Sequence, residues 1–420
     1  MRNLLSTISH KLTILGFFLL PWQTIWIYKQ VVVNDHVWQY ATLGFYLSEL
    51  VLWVALMLWM IVSWKHKKIS FRNINQIGPI FFAAMILLTL KASGDISITI
   101  QGLTWAVLSW WVALVIIHAK ERNTYLTSFA ISLIVAAILG FIQFIEQSVN
   151  ASALLGIAAQ VPETLGVPVV VAEGQRLLRT FGSFPHPNIF GGYMVLGIIL
   201  SLRFIQSQKK MWFGRTLFVA SLVGLLISFS RSAWLAAFFL LVYHIFISKR
   251  WKKTQHMSSI AVAIIAIFVL TYHPYILNRI QPSNHIEEQS ISQRAAGYED
   301  AKKLSMISPA FGVGFHNYTQ ALQENNSNLK GYELQPVHNV PLLIVVEWGI
   351  LGLLALLLAL WYLIKSSPHK KNLLVSLFIL LPILMLDHYV YTLYAGIMLI
   401  GLIVALNVHL QGEQKNSSHH

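Results

Sequence analysis

The sequence predicts an all-α polytopic membrane protein with about 12 transmembrane helices. Only 11% of the 420 residues are charged and 56% are hydrophobic, whereas an ordinary soluble domain carries about 25% charged residues. The charges occur in clumps that separate long apolar runs, and about 20 apolar residues are enough to cross a bilayer. Twelve runs qualify as candidate spans, near residues 12–33, 42–64, 77–91, 98–118, 124–146, 188–206, 211–230, 232–248, 256–274, 339–364, 372–388 and 390–410.

The basic residues determine the predicted orientation. With twelve spans, both termini and the connections after even-numbered spans share one side, which holds 20 of the 30 Lys and Arg residues, with clusters at 65–72 and 249–253. The positive-inside rule makes that side cytoplasmic. We therefore attribute the net charge of +14 to topology and to contact with anionic membrane lipids, and we expect no nucleic-acid partner.

Two long segments are predicted on the opposite, external side, and long loops in compact proteins are usually functional. The chain then divides into helices 1–5 within residues 1–146, an external segment at 147–187, helices 6–9 within 188–274, a long periplasmic loop at 275–337 between helices 9 and 10, helices 10–12 within 338–410, and a cytoplasmic tail at 411–420. The apolar stretch 151–171 either re-enters the membrane or lies along its surface.

Polar residues gather at the predicted outer ends of the last spans. His338 and Asn339 stand where span ten enters the membrane, and span eleven ends outward at Asp387. A carboxylate among apolar neighbours needs a partner, so we expect an arginine or a histidine beside Asp387. Within span ten, Glu347 should face protein or water, and Gly349 should let another helix approach closely.

Arginines occupy the outer side of three other regions. Arg231 lies in the short turn between spans seven and eight, where it either binds helix-end carbonyls or binds an anion. Arg176 and Arg179 precede a turn rich in Gly and Pro, after which Asn188 is expected to cap span six. Arg294 lies in a stretch with helical character, and both a structural and a functional role are open for it.

This combination suits an anionic ligand with a lipid tail. Guanidinium groups bind phosphate through paired hydrogen bonds and keep their charge. Neither ATP nor a nucleotide sugar is normally available outside the cytoplasm, so the expected substrate is a polyprenyl diphosphate that carries a sugar. Arg179 and Arg231 would stabilise the charge that develops on the diphosphate, and His338 would accept the proton of the attacking hydroxyl.

A metal ion is the competing way to neutralise a diphosphate. The chain has only four aspartates, no Asp-x-Asp pair and no cysteine, so neither a dense carboxylate cluster nor a thiolate metal site is expected. We therefore predict a mechanism without a metal or another cofactor.

Four motifs, in order along the chain, resemble those of bacterial O-antigen ligases, whose superfamily also holds O-antigen polymerases and protein O-oligosaccharyltransferases. They are RTFGSFPHPNIFGGY, SFSRSAWL, SQRAAGYEDAKKLSMISPAFGVGFHNY, and the pair His338-Asn339 followed by Gly349. The resemblance covers roughly residues 175–400. It departs from the family pattern after Arg294, where Gly297-Tyr298 replaces an aromatic residue that is often found there.

The resemblance implies a GT-C-like, inverting, metal-independent glycosyltransferase of lipopolysaccharide biosynthesis in the bacterial inner membrane. Its donor would be a glycan on undecaprenyl diphosphate, and its acceptor would be the lipid A–core oligosaccharide or another glycolipid. Arg179, Arg231 and His338 would match essential family residues, while Asp387 would match an acid near the periplasmic active site. The further substrate-binding candidates are Arg176, His186, Asn188, Arg294 and Asn339.

Other functions are open at this point. An O-antigen polymerase or a protein O-oligosaccharyltransferase differs from a ligase in its acceptor, and the twelve-span plan without a further soluble C-terminal domain favours the ligase. A flippase or transporter for lipid-linked sugars should show internal repeats and charges at mid-membrane depth. The sequence shows no convincing repeat.

Overall fold

The computed structural model describes residues 2–64, 94–207, 210–247, 255–280, 285–367 and 370–409. These residues form fourteen α-helices and six short strands. The helices are α1 (Arg2–Leu19), α2 (Leu47–Trp64), α3 (Ile96–His118), α4 (Arg122–Glu146), α5 (Pro187–Ile205), α6 (Met211–Ile227), α7 (Arg231–Val242), α8 (His256–Ile280), α9 (His285–Ile307), α10 (Tyr318–Asn325), α11 (Val340–Ser366), α12 (Lys370–Leu386), α13 (Tyr389–Thr392) and α14 (Tyr394–His409). The strands form three antiparallel ribbons, β1 (Ile25–Lys29) with β4 (Leu43–Tyr46), β2 (Val32–Val33) with β3 (His36–Val37), and β5 (Val169–Ala172) with β6 (Gln175–Leu178).

Apolar helices account for most of the predicted spans. Among the described residues, five helices are long and apolar enough to cross a membrane, namely α3, α4, α5, α8 and α11, and shorter apolar helices occur at α2, α6, α7 and α14. The chain is therefore mostly helical, as predicted. The predicted span at 77–91, the basic clusters at 65–72 and 249–253, and the tail at 411–420 lie outside the described residues. The count of twelve spans and the placement of the loops stay predictions.

The predicted first span, near 12–33, is wrong in its second half. Helix α1 ends at Leu19, and Pro21 follows, which lacks a backbone donor and clashes with the preceding turn of a helix. The chain then forms β1 and the β2–β3 hairpin, whose turn residues Asn34 and Asp35 both have positive φ. Asn and Asp tolerate this conformation, which a type I′ hairpin turn requires. The β-branched residues after the proline are therefore used in strands.

The predicted external segment at 147–187 forms turns and the β5–β6 hairpin without a helix. Its apolar part packs against the chain that follows α1. Thr24 Oγ1 donates to the carbonyl of Leu154, and a Cβ on Gly156 would lie only 1.8 Å from the carbonyl oxygen of Gln23. The stretch 151–171 is thus folded as a non-helical layer on the 23–24 segment.

The second predicted external segment, at 275–337, is largely helical within the described residues. Helix α8 continues to Ile280, beyond the predicted boundary at 274, across a kink at Tyr272 that precedes Pro274. The predicted helical stretch around Arg294 is confirmed by α9, and the short helix α10 follows it. This segment therefore has secondary structure of its own.

Helix α5 lies at the centre of the bundle. Of its candidate membrane window, 89% is buried inside the protein, the largest share among the five long apolar helices. Glycines allow its neighbours to approach closely, as is common between membrane helices. A Cβ on Gly197 would lie 2.2 Å from Ser221 Oγ of α6, and a Cβ on Gly192 would lie 2.3 Å from the Tyr389 hydroxyl of α13. The first turns of α5 thereby pack closely against α13, and its middle packs against α6.

Helix α11 is broken at Gly349, which has φ +64° and ψ −176°, a conformation that is open essentially to glycine alone. The 309–314 loop pairs with the backbone at the break. Val313 N donates to the carbonyl of Val346, and Ile350 N donates to the carbonyl of Pro309. The prediction that Gly349 admits another helix is wrong, because the closely packed group is the backbone of this loop. Non-helical backbone at membrane depth is tolerated where protein buries and pairs it.

We expect Gly349→Ala to destabilise the protein strongly. The new Cβ would lie 2.4 Å from the backbone of Ala310, and the positive φ adds strain, so the combined cost should exceed about 3 kcal/mol. The measurement is the melting temperature and the monodisperse yield in detergent. Gly297→Ala is the matched control, because a Cβ there would meet nothing within 4 Å. Equal behaviour of the two variants would contradict this account of the break.

Candidate functional site

The N-terminus of α5 connects two charged residues that are distant in sequence. An Arg179 Nη2 donates to Asn188 Oδ1, and Asn188 Nδ2 donates to Asp387 Oδ2 over 2.6 Å. Arg179 is 6% exposed and Asp387 is 4% exposed, so both charges need such partners. The expected arginine is therefore joined to Asp387 through an amide bridge, with the guanidinium on one side of Asn188 and the carboxylate on the other.

Asn188 does not cap α5, contrary to prediction. The N-cap is His186, whose Nδ1 accepts from the backbone N–H of Asn188 over 3.1 Å. Pro187 occupies the first helical position, where its missing N–H costs nothing, so the cap lies one residue before it. The amide of Asn188 is then available for Arg179 and Asp387.

A pair of histidines adjoins Asp387. The rings of His338 and His388 meet edge to face with their centroids 4.7 Å apart, and the backbone N–H of His388 donates to Asp387 Oδ1 over 2.9 Å. His388 Nδ1 lies 2.8 Å from Thr392 Oγ1, whose own proton is donated to the His388 carbonyl. Thr392 thus holds the Nδ1 side of the ring, and Nε2 is the nitrogen that faces away from this contact.

The charges that act on His186 show that the Arg179–Asp387 bridge and the His338–His388 pair belong to one site. Burial is the largest cause that lowers the pKa of His186 to about 3; the positive charge of Arg179 adds to it, as do His338 and His388, while Asp387 opposes it. His186 is therefore neutral at physiological pH. Four predicted site residues from three distant regions of the chain act on one another here.

The environment of His338 keeps its imidazole neutral. Burial is the main cause of its lowered pKa, with Asp387 raising the pKa and Arg294 lowering it. Burial, His338 and Arg294 also lower the pKa of His388 well below its ordinary value. Arg294 thus acts from α9 on both imidazoles. A neutral imidazole can accept a proton, which is the property that a general base needs.

Three arginines converge on the turn before α7. Arg179 Nε donates to the Ser228 carbonyl over 3.0 Å, and Arg279 Nη2 donates to the Phe229 carbonyl over 3.0 Å. Arg231 Nη1 donates to the carbonyl of Arg279 over 3.1 Å, a contact that matches the carbonyl-binding alternative. A guanidinium has five N–H donors, so binding a carbonyl is compatible with binding a phosphate oxygen. Phe229 has a φ of +47°, and this turn exposes carbonyls that the arginines bind.

The remaining predicted residues have identifiable structural contacts. Arg176 donates from Nη2 to the carbonyl of Thr164 over 3.3 Å and from Nε to that of Pro162, so it ties β6 to the preceding turn. Asn339 caps α11 by accepting from Leu342 N over 2.9 Å. Glu347 is 1% exposed and is bound by protein groups, which confirms that it faces protein.

The chemistry around the histidine pair favours an anion over a metal ion. Among the described residues, ligand atoms of His338, Asp387 and His388 lie within 4.8 Å of one another, and such a set can in principle hold a divalent ion. However, Arg294 acts on both imidazoles, and Arg179 is joined to the carboxylate through Asn188. These positive charges oppose a cation and attract a phosphate.

Sequence reasoning missed three neighbours of the site. The sequence places His388 at the same outer level as Asp387, but His388 is not among the predicted site residues. Arg279 lies near the end of α8 and is 8% exposed, and a cation next to a helix end was a weaker signal. The Tyr40 hydroxyl lies 3.5 Å from His388 Nε2, and no pattern links this residue to a histidine that is 348 positions away.

Removal of the amide bridge should destabilise the protein. Asn188→Ala leaves a buried guanidinium and a buried carboxylate without a shared partner, at a cost of about 1–3 kcal/mol. We expect a lower melting temperature in detergent. Asn325→Ala, at an exposed position on α10, should change the unfolding free energy by less than about 0.5 kcal/mol. A melting temperature for Asn188→Ala equal to that of the control would refute the bridge.

Comparison with known families agrees with the motifs. Residues 216–357 match the family model described as O-antigen ligase, Wzy_C. A search of curated proteins finds no match. The matched region runs from α6 into α11 and includes Arg231, Arg294 and His338, whereas Arg179 and Asp387 lie outside it. The family indicated by the motifs is thereby confirmed, and the chain carries an O-antigen ligase family domain at residues 216–357.

Proposed function

We propose that this protein is an O-antigen ligase, which transfers a glycan from undecaprenyl diphosphate to a hydroxyl of the lipid A–core oligosaccharide. The observation that carries the proposal is the cluster around His338. A neutral imidazole lies beside Asp387 and His388 and within the electrostatic reach of Arg294, while Arg179 is joined to Asp387 through Asn188. The family match to residues 216–357 supports the same reaction class.

In the proposed reaction, His338 accepts the proton of the acceptor hydroxyl. The resulting oxygen attacks the anomeric carbon of the donor from the face opposite the diphosphate, so the configuration inverts. The bond between that carbon and the diphosphate oxygen breaks, and undecaprenyl diphosphate leaves with the bonding electrons. Arg179 and Arg231 stabilise the leaving charge in a water-poor site, as preorganised donors do. No metal enters these steps.

The other candidates bind the diphosphate or hold the pocket in shape. Asp387 holds Asn188 and, through it, Arg179, and it favours the protonated state that His338 adopts after proton transfer. Arg294 offers a further guanidinium to the diphosphate. We assign His186, Asn188 and Asn339 to maintaining the pocket through their helix-end contacts, and Arg176 to ordering the loop in front of it.

We place this reaction at the periplasmic face of the bacterial inner membrane, with both termini in the cytoplasm. The positive-inside distribution of Lys and Arg supports that orientation. A polymerase of the same superfamily would use a second lipid-linked glycan as its acceptor. An assay that offers lipid A–core and a lipid-linked unit in separate reactions distinguishes the ligase from the polymerase.

Replacement of His338 or Arg179 by alanine should abolish most of the transfer activity. We expect His338→Ala to reduce kcat about 10²–10⁴-fold and Arg179→Ala to reduce it at least about 10²-fold, the latter with weakened donor binding. The assay uses purified protein, lipid-linked glycan and lipid A–core, with and without EDTA. Arg215→Ala, whose guanidinium lies over the Trp212 ring on the predicted cytoplasmic side, is the control for loss of a guanidinium. Full activity of His338→Ala, or inhibition by EDTA, would contradict the mechanism.

The pH dependence of kcat/KM should report the protonation of His338. Because its pKa lies below the ordinary 6.5, activity should be constant near neutral pH and fall on the acid side with a midpoint below about 6.5. Arg294 lowers this pKa and Asp387 raises it. The midpoint should therefore move to higher pH in Arg294→Gln and to lower pH in Asp387→Asn. A shift of the midpoint in the same direction in both variants would exclude His338 as the titrating base.

A further inference from the structure

A buried carboxylate inside α11 has no role in the transfer reaction. Glu347 is 1% exposed and lies nine residues after His338. Its Oε2 accepts from the backbone N–H of His316 over 2.8 Å and from the Tyr391 hydroxyl over 2.6 Å, and its Oε1 accepts from the backbone N–H of Tyr318 over 3.2 Å. A charge-bearing group at this depth is costly unless it is paired and usually marks function.

Tyr391 extends this network to the turn that carries His388. Its hydroxyl accepts from Trp348 Nε1 over 2.8 Å while it donates to Glu347. Its backbone carbonyl accepts from His316 Nε2 over 2.9 Å, and its backbone N–H donates to the carbonyl of His388 over 2.9 Å. One tyrosine thus joins the broken helix α11, the 315–318 segment and the turn between α12 and α13.

Each joined segment continues into a residue of the proposed site. Helix α11 begins directly after Asn339, so its first turns position His338. The turn before α13 contains Asp387 and His388. The 315–318 segment follows α9, which carries Arg294, and its His316 ring packs against α3, where a Cβ on Gly102 would lie 2.7 Å from the ring. The network is therefore placed to hold the histidine pair in one relative geometry.

We propose that Glu347 and Tyr391 are positioning residues, whose hydrogen bond holds the His338 segment and the Asp387–His388 turn in the arrangement that the reaction needs. This inference rests on the proposed function. Misplacement of a catalytic group by about 1 Å can cost about 10²-fold in rate. A hydrogen bond that keeps His338 and its neighbours in place can therefore affect the rate without contacting the substrate.

The donors around Glu347 explain why a carboxylate is required. Two backbone N–H groups and one hydroxyl donate to its two oxygens, whereas an amide has a single acceptor oxygen. A glutamine would turn an N–H₂ donor towards at least one of these donors. Glu347→Gln should therefore break the link although it preserves the shape of the side chain, whereas Tyr391→Phe removes only the hydroxyl.

Two tyrosines of α13 provide a matched test. Tyr389 is 2% exposed, and its buried hydroxyl has no hydrogen-bond partner among the described residues. We expect Tyr391→Phe to lower kcat about 10-fold or more, measured per donor-binding site, with the KM for the donor within about twofold of wild type. Tyr389→Phe should leave kcat within about twofold. Glu347→Gln should resemble Tyr391→Phe, and the double variant should be no slower than the slower single variant, because both remove the same link.

The fall of kcat/KM at acid pH distinguishes a loss of positioning from partial unfolding. A smaller folded fraction would lower the activity at every pH but would not change the pH midpoint of this fall. Asp387, Arg294, His186 and His388 all act on or beside His338. Loosened packing around His338 should move the midpoint upward, towards 6.5, in Tyr391→Phe and leave it unchanged in Tyr389→Phe. Equal kcat and equal midpoints in the two variants would overturn the inference, whereas no transfer by the wild-type protein would overturn the proposed function instead.

Discussion

The site depends on one constraint, which is that charges at the ends of apolar helices must be bound by protein groups. Arg179 and Asp387 are both nearly inaccessible to solvent, and a single amide, Asn188, satisfies them from the first turn of the most buried candidate span. This position fixes the ends of α5 and α12 relative to each other. It also brings the capping histidine, His186, within the field of the same charges. The arrangement therefore combines helix packing and electrostatics in one contact.

The same burial that makes charges costly keeps the imidazoles neutral. His186 and His338 have lowered pKa values mainly because they are buried, with arginines adding to the effect. A group of neutral imidazoles beside guanidinium groups attracts an anion and still accepts a proton. In water the attraction between the guanidinium groups and an anion would be weak, because solvent screens the charges. A site enclosed by helix ends retains both.

The break in α11 gives the protein a second point at which distant segments are joined. A break in a long apolar helix exposes backbone groups that need partners, and the 309–314 loop supplies them. Glu347 lies at this break and binds the segment that follows the loop. The hydrogen bonds of the break thus connect the long segment between α8 and α11 to the bundle, so that Arg294 on α9 is held near the histidines.

The sequence by itself determined the membrane class, most helix positions and the family, because apolar runs and ordered motifs are local properties of the chain. It also indicated Arg179, Arg231, His338 and Asp387 as residues of one end of the bundle, since the alternation of spans sorts residues by side. Only the tertiary structure decided which groups touch. The bridge through Asn188, the cap at His186, the carbonyl bound by Arg231 and the loop packed on Gly349 all join residues with no periodic relation. Such contacts depend on the direction and depth of each side chain, which hydropathy does not encode. The strands after Pro21 were missed for a related reason, because a short apolar run is compatible with a helix or a strand until its partners are known.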